Sequence, residues 1–213
     1  MRRIAALLVF SLLAQQYSFA QLDYPDYRSK KESFTKLTDK PIRLDLATFT
    51  MGGVEESIGK EKLRKIAPDY YTKNVLHIKG DDIDVTVTIA PYDAGGKKLK
   101  MAGEHLVKID NKPPYGSYGQ TPQTKIKEVR VIIKKDTILL PAAAYDDLFN
   151  MNFTYKDNNK VERTANAIYF APHGNRFYVY LLSRDATGSY EVTWIFENGV
   201  YLRRVLDYGF TQN

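Results

Sequence analysis

The sequence predicts a mainly β protein: an antiparallel β-sandwich or barrel-like domain with two short capping helices, near 54–66 and 142–150. Three observations carry that reading. Ile83, Val85, Val87 and Ile89 alternate with Asp84, Thr86 and Thr88, the period of a strand with one buried and one wet face. Turn chemistry recurs between apolar runs, at Gly80-Asp81-Asp82, Gly95-Gly96, Asp157-Asn158-Asn159 and Asn198-Gly199. No heptad run or long stretch of helical period competes with them.

Taken in order, the elements are as follows. Residues 21–40 are polar and aperiodic and read as an extended leader. From Pro41 onward, Ile42, Leu44 and Leu46 alternate with Arg43, Asp45 and Ala47, so a strand is expected. Val54, Ile58, Leu63 and Ile66 then recur at helix-like intervals, with Glu55 and Glu56 early and Arg64 and Lys65 late, in the sense that suits a helix dipole. Strands follow at 75–79, 83–89 and 104–109. Residues 113–124, with three prolines and two glycines, form a loop and the one candidate for a split of the 41–213 domain into subdomains. Strands at 129–133 and 137–140 lead to Pro141, which suits the first turn of a helix. A strand near 160–170 and a three-strand meander over 176–184, 189–197 and the residues after Gly199 complete the chain. Pairing Glu197 with Val200 across Asn198-Gly199 sets Phe196 opposite Tyr201, Trp194 opposite Arg203 and Val192 opposite Val205. Trp194 is then a packed residue, with the Arg203 stem over its rim.

The first twenty residues carry an address. Arg2 and Arg3 precede an apolar run from Ile4 to Ala14, and Ser18 and Ala20 set small residues at a cleavage site. That is the pattern of a secretory signal peptide, too short to span a bilayer core, so an exported protein, periplasmic or extracellular, is expected, with no membrane-spanning segment after removal of the signal. Loss of the two arginines lowers the formal net charge from +6 to +4. The remaining lysines are scattered, which argues against nucleic acid as a partner. There are no cysteines, which excludes disulfides, thiolate metal sites and cysteine nucleophiles.

Motifs for chemistry are sparse. Gly53 to Lys60 has glycines one residue too far apart for a phosphate loop and two glutamates inside it. Asp81-Asp82-Ile83-Asp84 lacks the later ligands and the glycine of a helix–loop–helix calcium site. His77, His105 and His173 share no ligand spacing, so no metal or other cofactor is expected. No serine sits in a Gly-x-Ser-x-Gly elbow. Sixteen tyrosines are the one unusual abundance. Tyr115 and Tyr118 lie in the Pro/Gly loop, and tyrosine brings large contact area at low entropy cost, so these two are the candidate binding residues. The competing expectation is that they lie flat on the β core. The reading that results is a non-enzymatic exported module that binds a protein, a peptide or a glycan in the cell envelope. The alternative is a periplasmic hydrolase assembled from Glu104, His105 and the Asp81–Asp84 turn.

Overall fold

The structure, a computed structural model, describes residues 28, 30–173, 175–185 and 188–210. The expected signal peptide, and the leader up to residue 27, lie outside the described residues. One helix, α1 (Lys40–Ala47), precedes the strands β1 (Arg64–Ile66), β2 (Tyr70–Tyr71), β3 (Val75–Gly80), β4 (Ile83–Pro91), β5 (Leu99–Ala102), β6 (His105–Ile109) and β7 (Thr124–Ile133). They continue with β8 (Asp136–Leu139), β9 (Tyr155–Lys156), β10 (Glu162–Arg163), β11 (Ala167–Phe170), β12 (Arg176–Asp185), β13 (Gly188–Glu197) and β14 (Val200–Tyr208).

Two five-stranded antiparallel sheets face each other, in the orders β1-β11-β12-β13-β14 and β2-β3-β4-β7-β8. The arrangement is a sandwich, not a closed barrel, because each sheet keeps its own edge strands. The alternation in β4 does what its period predicts: Ile83, Val85, Val87 and Ile89 turn inward to meet Phe177, Val179, Leu181, Val192, Trp194 and Phe196 of the other sheet. Phe177 and Phe196 stack with ring centroids 4.7 Å apart. Trp194 is fully buried, and its Nε1 donates to the Ala144 carbonyl at 2.9 Å, so the indole loses no hydrogen bond on burial. The core draws on strands from both sides of the 113–124 loop.

The first sheet is covered on its other face as well. Phe34, Leu37, Ile42, Leu46 and Ala47 close over Tyr178, Ile195 and Val205. Part of the segment expected as an extended leader therefore belongs to the packed structure. Phe34–Lys36 is a 3-10 turn, Phe34 is buried, and Leu206 N donates to the Glu32 carbonyl at 3.0 Å, so the segment also shields part of β14.

Three local expectations need correction. Residues 40–47 form a helix instead of a strand. The Asp39 side chain caps it by accepting from Ile42 N at 3.0 Å, and Pro41 occupies its first turn. Ile42 and Leu46 satisfy helical i, i+4 spacing as well as period two, and Leu44, which only the strand reading would bury, is 53% exposed. Residues 54–66 hold no continuous helix: one 3-10 turn, Val54–Glu56, ends before Gly59, whose φ of +74° is left-handed, and residues 64–66 pair with β11 as β1. The helix expected over 142–150 is one 3-10 turn, Ala142–Ala144. Its continuation is taken by tertiary hydrogen bonds: Tyr115 N donates to the Asp147 carbonyl at 3.0 Å, and Phe149 N to the Tyr115 carbonyl at 2.9 Å.

The C-terminal register matches the expectation up to Phe196–Tyr201, and then a bulge between Ile195 and Phe196 shifts it by one. Trp194 consequently faces Arg204, and Val192 faces Leu206. The arginine beside the tryptophan is therefore Arg204, which is buried, while Arg203 pairs with Ile195 on the opposite face.

Candidate functional site

Successive turns of a meander alternate between the two ends of a sandwich. The β3–β4, β7–β8, β11–β12 and β13–β14 turns all fall at one end, and there the two sheets part to leave a cleft of about 1080 Å³. Its apolar wall comes from both sheets: Ile83, Ile133 and Ile138 on one side, Phe170 and Phe177 on the other. Residues 61–64 lead into β1 along one flank. The Arg64 guanidinium lies 3.9 Å from the centre of the Phe170 ring and pairs with Asp81 of the β3–β4 turn. Lys134 N donates to the Asp82 carbonyl at 2.6 Å and ties the β7–β8 turn to its neighbour. The rim carries Lys62, Arg64, Lys134 and Arg176 against Glu61, Asp81, Asp82 and Asp136, four charges of each sign. Arg176 is held from behind by Glu197 at 2.6 Å and by Asp45 at 3.7 Å. Apolar walls beneath a charge-balanced rim give the cleft no net charge with which to draw a polyanion or a polycation.

The strongly perturbed carboxylate lies elsewhere. Glu191, 2% exposed on the first sheet's outer face, accepts from Met51 N at 2.8 Å, Gly52 N at 2.7 Å and Tyr180 Oη at 2.6 Å. Burial pushes its carboxyl up to about 7 against the pull of those three donors. Asp207, its cross-strand partner, is likewise raised by burial, and it accepts from Phe34 N at 2.8 Å. This carboxylate pair fastens main chain, and the groups it touches are backbone donors and a phenol. Arg204 is a second internal clamp: it makes paired hydrogen bonds of 2.6 and 2.7 Å to Asp147 and reaches Glu32 at 2.8 Å. It thereby joins β14, the 142–148 segment and the N-terminal cover.

The residues singled out from the sequence are placed as follows. Tyr115 and Tyr118 sit at the end of the sandwich opposite the cleft. Tyr115 is a packing residue, 2% exposed, with its ring 5.5 Å from that of Tyr208, and is therefore not displayed to a ligand. Tyr118 is half-buried against Gly188, where its ring leaves no room for a Cβ. Burial holds both phenols well above the ordinary tyrosine range. Glu104 and His105 belong to the β5–β6 hairpin, which emerges between the far end of β4 and the start of β7, whereas Asp81 and Asp82 line the cleft. The nine residues of β4 separate the two ends by roughly 25 Å. The residues of the hydrolase reading are not brought together. His77 lies between Asp69, 2.8 Å from Nδ1, and Asp84, 3.0 Å from Nε2, on the outer face of the second sheet. Among the described residues no group of three or more histidine and carboxylate side chains is arranged to hold a metal ion.

Sequence reasoning did not find the cleft, although turn parity was available: every second hairpin turn of a meander returns to the same end. What no count of turns supplies is that the sheets part there. The chain matches no family model, no curated protein and no solved structure, so its site is defined by its own geometry.

Proposed function

We propose that this protein is a non-enzymatic binding module that takes a peptide or a segment of a partner protein into the cleft at the open end of its sandwich. The observation that carries the proposal is the composition of the trough: isoleucines of one sheet face phenylalanines of the other beneath a rim of balanced charge. Arg64 covers one face of Phe170, and Phe177 is buried in a stack with Phe196, which leaves little aromatic surface for stacking on a sugar. Apolar side chains of a peptide fit that surface better than a glycan does. Export to a cell envelope, as the N-terminal residues suggest, would place such a partner outside the cytoplasm.

The test is a parallel screen of the full chain on peptide and glycan arrays, repeated with Ile138→Asp. Ile138 is half-buried at the mouth and packs on the margin of the main core, so the substitution alters the trough at some cost in stability. Capture of peptides, lost in a variant that still melts cooperatively, is the expected result. Capture of glycans alone, or peptide capture indifferent to Ile138→Asp, would overturn the proposal.

A further inference from the structure

The cleft opens beside an edge strand. β8 is the outermost strand of the second sheet, paired with β7 on one side only. The two-residue loop Lys134-Lys135 makes Ile133 and Asp136 the first, mutually hydrogen-bonded pair of the hairpin, which sets the phase of the ladder. Asp136 and Ile138 direct their main-chain groups at β7. Thr137 and Leu139, one residue out of phase, direct theirs away from it. Among the described residues neither Thr137 nor Leu139 makes a backbone hydrogen bond to any other segment. Leu139 is 84% exposed. The side chains alternate in the other direction: Ile138 and Asp136 point into the cleft, and Thr137 and Leu139 lie on the sheet's outer face.

From this phase we infer that the ligand is an extended peptide that adds to the second sheet as a sixth strand along β8, hydrogen-bonded to the main chain of Thr137 and Leu139, with alternate side chains set into the trough. The inference rests on the peptide reading of the cleft and specifies how the peptide is held. Two features of the site select this occupant. The open row of donors and acceptors is complementary to another extended main chain and to little else. Asp136 and Ile138, the inward side chains of β8, line the cleft at that edge, so the inward side chains of an added strand would extend this lining. The balanced rim leaves recognition to backbone pairing and apolar side chains, so the strand is read by shape and alternation more than by charge.

The probe is a peptide of about ten residues taken from the array screen and resynthesised in two forms, each N-methylated at alternate residues in one of the two phases. One phase blocks the amides that would face β8, and the other blocks those that face away. In the protein, Thr137→Pro removes an outward N–H without costing a bond of the β7–β8 ladder, because edge positions of that phase tolerate proline. Loss of the main-chain bonds should weaken binding about thirtyfold in one methylated phase and leave the other phase unaffected. Thr137→Pro should weaken the unmodified peptide by about tenfold. Equal binding of both methylated forms, with Ile138→Asp still abolishing capture, would overturn strand addition and leave the cleft reading standing. Indifference to both substitutions would overturn both. Self-association of the full chain that Thr137→Pro abolishes would assign the edge to a second copy and also overturn the inference. The methylated peptides decide the matter even where Thr137→Pro fails to fold.

Discussion

Glu191 shows how one side chain couples the ends of the chain to pH. Its carboxyl is raised by burial to about 7, above the 4.5 of an exposed glutamate. A folded-state value above the unfolded one means that the native protein holds the proton more tightly. The stabilisation from this group is complete below about pH 4.5 and is lost as pH climbs through 7. Asp207 is shifted in the same direction by the same cause. Urea denaturation between pH 5 and 7 should therefore show stability falling with pH. Glu191→Gln should flatten that slope. The same substitution should lower stability by about 1–3 kcal/mol, because Met51 N and Gly52 N donate to different carboxylate oxygens and the amide replaces one of them with a donor. An unchanged slope in the variant would show that the proton is held elsewhere.

At the scale of elements, the β5–β6 hairpin is the least favourably built piece. Lys100 and Lys108 stand directly opposite each other across its two strands, and like charges so placed repel. The hairpin is held by Leu106 and Ile109 against Phe149 and Tyr92, and Leu106 N donates to the Gly119 carbonyl at 2.7 Å. Lys108→Glu should convert the repulsion into a cross-strand ion pair and stabilise the hairpin by about 0.2–1 kcal/mol. Slower amide exchange within 99–109, more than a shift of the global melting temperature, is the expected readout. Strands with a clear alternation of buried and wet residues, as in β4, were legible in the sequence, because alternation records that asymmetry. α1 was not, since Ile42 and Leu46 fit both periods and only the sheet face beneath them decides between the two. The 54–66 segment carried helical spacing and 142–150 helix-forming composition without becoming helices, because Gly59 broke one and the backbone of the 113–124 loop claimed the other.

For the whole molecule, the N-terminal cover matters as much as the sandwich. The first sheet is buried on both faces, and α1 with Phe34 supplies the second layer. Leu46→Ala should cost about 2–5 kcal/mol, as for any fully buried leucine. Leu139→Ala, at an exposed edge, should change folding stability by less than about 0.5 kcal/mol. Comparable losses at the two positions would contradict this layering. The described chain begins at Arg28, whose guanidinium lies 4.0 Å from the centre of the Tyr208 ring, at the end of the sandwich away from the cleft.

By itself the sequence determined the class of fold, the positions of most turns and the hairpin at Asn198-Gly199, because these follow from side-chain period and local turn chemistry. It also determined that Trp194 is packed. Tertiary structure decided the rest. The one-residue bulge that exchanges Arg203 for Arg204 beside Trp194 leaves no mark in local pattern. Tyr115, placed by composition among recognition residues, is buried because Tyr208, from the far end of the chain, lies against it. The cleft exists because two sheets part at one end, and the free main chain of β8 lies beside it because, among the described residues, no later strand pairs with that edge. Both are relations between segments distant in sequence, and such relations are set by packing, which no local spacing encodes.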